Sequence, residues 1–331
     1  MQKQVMSKQY SRKQFLYNGL TAVGSVGVCS WGAGALLSTS LMGEGPSMKK
    51  RRILIDSDAM NEIDDQFAIV RALIAPELKV EGLTAAGFAG AKDSAQQSYE
   101  EEQKLLQLMG LAGKVPLALG SSLTLKDKRT PDETAAARLI IERALAVSDT
   151  PLYVVALGQA TNLASALLME PRIADRVIFV LIGGTYHANR EPAWGADDFN
   201  WHQKWRDIAV IFESNVPVLH IPADDVSNRV VMTRDDVKRH FAGRGHVYDY
   251  LASLWDTKAK GKSRWVMWDI AAIHQVIDPS HGKTIEIAAP TVQDDGSVKE
   301  AANKDRKIKV LTELNPQAIF DRFWKDLESE K

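Results

Sequence analysis

Five carboxylates and one carboxamide stand within ten residues of this chain. They are Asp56, Asp58, Asn61, Glu62, Asp64 and Asp65, in the stretch ILIDSDAMNEIDDQFAIV at residues 53–70. Like charges this close repel unless a cation or a shared proton lies among them. The plainest account is a solvated loop and a helix start, where Asp64 and Asp65 would meet the positive end of the helix dipole. That leaves Asp56 and Asp58 unexplained, since both stand where an apolar run ends. The sharper reading is a hard-cation site. Several carboxylate oxygens with no cysteine nearby suit Ca²⁺ or Mg²⁺ better than zinc.

The elements that must position these groups alternate along the chain. RRILID predicts a short buried strand, and DDQFAIVRALIA places Phe67, Val70, Leu73 and Ile74 at helical spacing. Further strands are expected at LKVEGLTAAGF, VPLALGSS, PLYVVALG, RVIFVLIGG and VPVLHIPAD. Helices are expected between them: one closed by glycine after SAQQSYEEEQKLLQLMG, one starting near Pro131, one capped by Thr161 or Asn162, and one over KWRDIAVIFESN. Later helices are expected around 246–257 and 265–277. Two edge strands, TIEIAA and KIKVLTEL, would precede a terminal helix. Near-continuous apolar strands separated by helices predict an α/β fold: a mostly parallel central sheet with helices on both faces and antiparallel strands at an edge. Such sheets bind ligands outside the carboxyl ends of their strands. The acidic stretch falls there, as do GQATN (158–162), the long loop GGTYHANREPAWGADDFN (183–200) and PADD (222–225).

These segments together resemble the inosine-uridine-preferring nucleoside hydrolases. That family opens with a strand running into D-x-D-x-x-x-D-D. It then carries G-x-x-T-N, a G-G loop ending in an acidic–Phe–Asn triplet, and an aspartate near the start of a late helix. Here DSDAMNEIDD, GQATN, the loop 183–200 and MWDIAAI follow in that order. The resemblance spans roughly residues 51–280 and implies a nucleoside-hydrolase-like fold with a Rossmann-like core. It implies Ca²⁺ held by Asp58, Asp65, the backbone carbonyl of Thr161, and Asp269. It implies Asp58 as the base that takes a proton from the attacking water. Asp64 and Asn200 would hold the ribose hydroxyls, with Asn189 and Asp198 in the same sugar-binding loop, while Asp56 supports the loop. The substrate would be a small-molecule riboside and the assembly a homo-dimer or tetramer. The chemistry agrees with such a site, because a carboxylate-rich pocket stabilises an oxocarbenium-like sugar.

The sequence also departs from the pattern. Five residues, AMNEI, separate Asp58 from Asp64 where three are usual, so Asn61 or Glu62 could enter the site. Asp198 replaces glutamate. The asparagine common after the second strand is missing from TAAGFAGAKDS. Trp268 precedes Asp269 where purine-active members often have a histidine acid. Tryptophan does not donate a useful proton, but it can stack on a base. His187 and His202, flanking the long loop, are the alternative acids; a lone histidine is more often structural. Trp194, Trp201, Trp205 and Trp265 are expected to pack or anchor the loop, and His220 to lie in the core.

Composition bounds the rest. The chain has 331 residues, 45% hydrophobic, and a formal net charge of −1, which speaks against a nucleic acid polymer or an anionic membrane as partner. Its single cysteine, Cys29, excludes an intrachain disulfide. Residues 1–48 have a basic start and then an almost uncharged Gly/Ala/Ser/Val-rich run. That is the order of an export signal or N-terminal anchor, and SRKQFL resembles a twin-arginine motif with Lys13 in place of the second arginine. An exported protein is expected, with residues 49–331 as one catalytic domain and no membrane contact beyond the signal. Two other functions compete. One is a calcium- and sugar-binding homologue without catalysis. The other is a haloacid-dehalogenase-like phosphatase, which also opens with strand-D-x-D but needs a small or hydroxyl residue where AMNEIDD stands.

Overall fold

The computed structural model describes residues 49–331 apart from 191–192, 196–198, 202–204, 294–296, 300–304 and 331. The first strand, β1 (Arg51–Ser57), runs into α1 (Asp64–Ile74). The chain continues through β2 (Leu78–Ala85), α2 (Ser94–Leu108), β3 (Leu117–Leu119), α3 (Ala135–Leu145), β4 (Leu152–Ala156) and α4 (Thr161–Met169). Next come β5 (Val177–Ile182), α5 (Trp205–Glu213), β6 (Val218–Ile221), β7 (Val231–Thr233), α6 (Arg234–His240), α7 (His246–Thr257), β8 (Arg264–Val266) and α8 (Trp268–Ile277). The last part holds β9 (Gly282–Ala288), β10 (Thr291–Val292), β11 (Val298–Lys299), β12 (Lys307–Leu314) and α9 (Pro316–Ser329).

Eight strands form the main sheet in the order β3-β2-β1-β4-β5-β6-β12-β9, all parallel except β9. Alternate residues of β1 serve the two faces. Ile53 and Ile55 join a core with Phe67 of α1, Leu105 of α2, Ile270 of α8 and Phe323 of α9. Leu54 joins the opposite core with Ile140 of α3, Leu163 of α4 and Ile211 of α5. Each such side chain, fully buried, contributes about 1.5–3 kcal/mol of transfer free energy. With helices on both faces, the strands read as continuous apolar runs rather than alternating ones.

KIKVLTEL is not an edge strand, contrary to the sequence expectation. It forms β12, which lies parallel to β6 on one side and antiparallel to β9 on the other, so TIEIAA alone supplies the antiparallel edge. The burial pattern explains this: Ile308, Val310 and Leu311 are buried and need cover on both sides. The helix expected near Pro131 starts at Ala135, because the Thr134 side chain accepts from the Ala137 backbone N–H as its cap. Neither Thr161 nor Asn162 caps α4; both side chains are used elsewhere.

Strand order also sets where a ligand can enter. From β1 the chain moves outward to β2 and β3. It then crosses back to place β4 on the other side of β1. The crevice at this reversal, outside the carboxyl ends of β1 and β4, is where open α/β sheets bind ligands.

Candidate active site

A cavity of about 260 Å³ opens at that crevice. Its floor is acidic. Asp58 follows β1, Asp64 and Asp65 open α1, and Asp269 sits in the first turn of α8. All four are buried. One carboxylate oxygen from each of Asp64, Asp65 and Asp269 lies within 4.8 Å of the others. Two helix N-termini therefore meet at the same floor, and each brings a partial positive charge that favours anions.

The cluster is tied from below. Ser57 Oγ donates to Asp65 Oδ1 at 2.6 Å, and the Asp269 backbone N–H donates to Asp64 Oδ2 at 3.4 Å. Asp56 does not line the cavity. Its Oδ1 accepts from Thr84 Oγ1 at 2.6 Å and from Asn162 Nδ2 at 2.8 Å, which fastens β1 to β2 and to α4. Asp58 leans on β4 through a missing side chain: a Cβ built on Gly158 would stand 2.6 Å from Asp58 Oδ1. The glycine of GQATN is thus the space that the Asp58 carboxylate occupies.

Burial sets the electrostatics. It pushes the Asp56 carboxyl up to about 7 despite two hydrogen bonds that oppose the shift. Burial first and Glu62 next raise Asp64; burial and then Asp64 raise Asp65; burial and then Asp64 raise Asp269. Behind the floor, Glu102 of α2 is fully buried and held well above the carboxylate range, by burial and then by Asp56. Buried carboxyls crowded in this way need either protons or a cation. The donor set is all oxygen, which fits a hard divalent ion.

The longer loop after Asp58 brings Asn61 and Glu62 into the cavity wall. A turn from the Asn61 N–H to the Asp58 carbonyl starts it, at 2.8 Å. Lys258, just past the end of α7, donates from Nζ to the carbonyls of Met60, at 2.8 Å, and Glu62, at 3.3 Å. Phe199, Asn200, Asp224 and Trp268 also line the cavity. Asn200 Nδ2 donates to the Leu157 carbonyl at 2.6 Å, so the long loop is pinned to the end of β4.

Two expected site residues, Thr161 and Asn189, fall elsewhere. Thr161 does not line the cavity. It begins α4, its hydroxyl donates to Asp207, and a helical carbonyl points toward the helix C-terminus, away from the crevice. Leu157, four residues earlier, lines the cavity instead. Asn189 is exposed and is not among the lining residues. Asp198 lies outside the described residues, as does His202. His187 does not line the cavity either; its Nδ1 pairs with Asp225. Trp194 and Trp201 stack against His220, with ring centroids 5.4 and 4.8 Å apart, and pack into the core. His220, whose Nε2 donates to the Gly183 carbonyl at 2.7 Å, is depressed by burial to about 4. Sequence reasoning left Leu157, Gly183, Phe199, Ala223 and Asp224 without roles; Gly183 and Phe199 were signalled by the G-G and acidic–Phe–Asn motifs, the other three only by a place near a strand's carboxyl end.

A mostly parallel α/β sheet with an acid-floored cavity at its topological switch point defines a class of small-ligand site. The comparisons make the class specific. The family model described as "Inosine-uridine preferring nucleoside hydrolase" matches residues 53–321, and the chain belongs to that family. It is 28% identical over 236 residues to the "Probable uridine nucleosidase 2" of Arabidopsis thaliana, covering 62% of this chain and 69% of that one. It is 25% identical over 265 residues to the "Pyrimidine-specific ribonucleoside hydrolase RihB" of Escherichia coli, covering 72% and 82%. Its fold matches the "Purine-Preferring Ribonucleoside Hydrolase from Gardnerella vaginalis" with a TM-score of 0.68 at 20% identity, over 84% of this chain and 98% of the other. The protein is therefore a hydrolase of N-glycosyl bonds with a small-molecule nucleoside as substrate, and the phosphatase alternative falls.

Proposed function

We propose that the chain carries out calcium-dependent hydrolysis of the N-glycosidic bond of a ribonucleoside or related riboside, releasing ribose and a base. One observation carries this reading. Asp58, Asp64 and Asp65 share a single cavity with Asp269, which lies 205 residues beyond Asp64. Asp64, Asp65 and Asp269, with Asp58 beside them, would hold the ion. When bound, Ca²⁺ supplies a fixed positive charge that offsets the crowded carboxylates and makes nearby water more acidic.

The chain's own groups do the rest. The Asp58 carboxylate, held in place by the gap at Gly158, takes a proton from the attacking water. The acidic floor stabilises positive charge as it develops on the sugar. Asn200, pinned on Leu157, supplies an amide for a sugar hydroxyl. Trp268 and Phe199 also line the cavity and offer ring faces for the aglycone.

The test is hydrolysis of p-nitrophenyl riboside, whose leaving group needs no acid. The full enzyme with Ca²⁺ should release nitrophenolate, and a chelator should stop it. Asp58→Asn should lower kcat by about 10²–10⁴-fold while the circular dichroism spectrum is preserved. Comparable turnover in that variant would remove Asp58 from the base role. The export signal expected in residues 1–48 adds a proposal of location: the enzyme works outside the cytoplasm.

A further inference from the structure

We propose that Lys258 is a positioning residue for the substrate: its ammonium clamps the loop at 59–63 so that Asn61 and Glu62 form a wall of the binding cavity, and it thereby sets how tightly the riboside is held. This rests on the riboside-hydrolase reading above and adds to it a residue that does not itself line the cavity. Five residues separate Asp58 from Asp64, and they form neither strand nor helix. The course of such a segment is set by whatever engages its backbone. Lys258 Nζ takes the carbonyls of Met60 and Glu62. The first belongs to the peptide unit before Asn61, and the second to the unit after Glu62. The two residues that line the cavity thus lie between two clamped peptide units. An ammonium makes stronger hydrogen bonds to carbonyls than a neutral donor does.

The clamp is itself anchored. Lys258 follows α7, where its backbone N–H donates to the Leu254 carbonyl at 2.8 Å, and its neighbour Ala259 is fully buried. Trp255 Nε1 closes the next turn on the Lys262 carbonyl at 2.8 Å. A second route also joins α7 to the loop. Tyr250 donates to Glu101 of α2, Glu101 accepts from Gln66 Nε2 at 3.1 Å, and Gln66 Nε2 also donates to the Ala59 carbonyl. Ile63, fully buried, fixes the far end of the loop. Held in this way, Asn61 and Glu62 keep one placement before substrate arrives, and binding does not have to order them. A group that acts by ordering the wall in advance helps ground state and transition state alike. Its removal raises KM and leaves kcat.

The experiment uses the full chain with p-nitrophenyl riboside. Lys258 also acts electrostatically on Asp65 and Asp58, so each variant is assayed at a Ca²⁺ concentration shown by titration to saturate it. Lys258→Met keeps the stem and removes the donors; KM should rise about tenfold or more, with kcat within about threefold. Lys258→Arg restores charge and donors and should recover most of the loss. Asn61→Ala/Glu62→Ala should raise KM to a similar degree. Adding Lys258→Met to that variant should change KM little further, because the lysine then has no wall to position. Unchanged KM in Lys258→Met, or a loss confined to kcat, overturns the proposal and leaves the hydrolase intact. So does a KM penalty that adds in full to that of Asn61→Ala/Glu62→Ala. Should Lys258→Met fail to fold, Asn61→Ala/Glu62→Ala decides instead: unchanged KM there overturns the proposal, and a rise of about tenfold supports it. No turnover by the unmodified enzyme overturns the hydrolase reading and this proposal with it.

Discussion

At the scale of single residues, the site depends on one absent side chain. Gly158 is needed because the Asp58 carboxylate fills the place of its Cβ. Gly158→Ala should displace Asp58, and a shift of about 1 Å at a catalytic group costs on the order of 10²-fold in rate. Steady-state kinetics on p-nitrophenyl riboside, alongside a thermal melt, would show whether activity falls far more than stability. The buried carboxyls also imply a pH dependence with a definite sign. Asp56 is raised from 3.8 to about 7, and Asp64, Asp65 and Asp269 are raised as well. The folded protein without metal therefore binds more protons than the unfolded chain between those values, so its stability falls as pH rises from about 4 to about 7. Bound Ca²⁺ favours the ionised ligands and should flatten that slope. Melting curves in chelator and in Ca²⁺ across this range would test it; a chelated protein that gains stability with pH would contradict the assignment.

At the scale of elements, α1 must be held firmly, since it carries both Asp64 and Asp65. Its other end is fixed by Arg71, fully buried, whose guanidinium lies 2.8 Å from Asp326 of α9 and above the Phe323 ring. Arg322 reaches the same carboxylate at 3.0 Å. Asp326→Ala strands a buried cation and should cost about 3–5 kcal/mol, because a buried charge that loses its partner is uncompensated. A drop of about 10 °C in the unfolding midpoint is expected. The double variant Arg71→Met/Asp326→Leu should recover most of it, since removing both charges removes the desolvation cost. The terminal helix thus supports the active site from the opposite end of α1. Nothing in its sequence, PQAIFDRFWKDLESE, points to that partner: an acid–base pair so distant in the chain has no local period.

At the scale of the whole molecule, the described fold begins at residue 49, and the family match lies inside it at 53–321. No helix among the described residues is long and apolar enough to cross a membrane. A chain of residues 49–331 should fold and hydrolyse p-nitrophenyl riboside as the full chain does. It should remain in the cytoplasm of the producing cell while the full chain is exported, which fractionation would read directly. Loss of activity on this truncation would mean that residues 1–48 belong to the catalytic unit.

Much of this was legible beforehand, for a physical reason. Strand and helix periods are local, so the alternating elements could be read from apolar spacing, and strand ends in a parallel sheet gather on one side. That was enough to gather Asp58, Asp64, Asp65 and Asn200 at one edge of the sheet; that Trp268 and Asp269, at the start of a late helix, belong beside them was implied only by the family resemblance. What remained hidden depends on contacts between distant segments. The insertion of β12 between β6 and β9 is a choice of strand partner. The exclusion of Thr161 and the entry of Leu157 turn on which way a carbonyl points once a helix begins. The burial of Trp194 and Trp201 against His220 turns on where a long loop folds back. Local periodicity carries the types and order of the groups. Only packing, which weighs each side chain against every neighbour it could have, decides which of them face the same empty space.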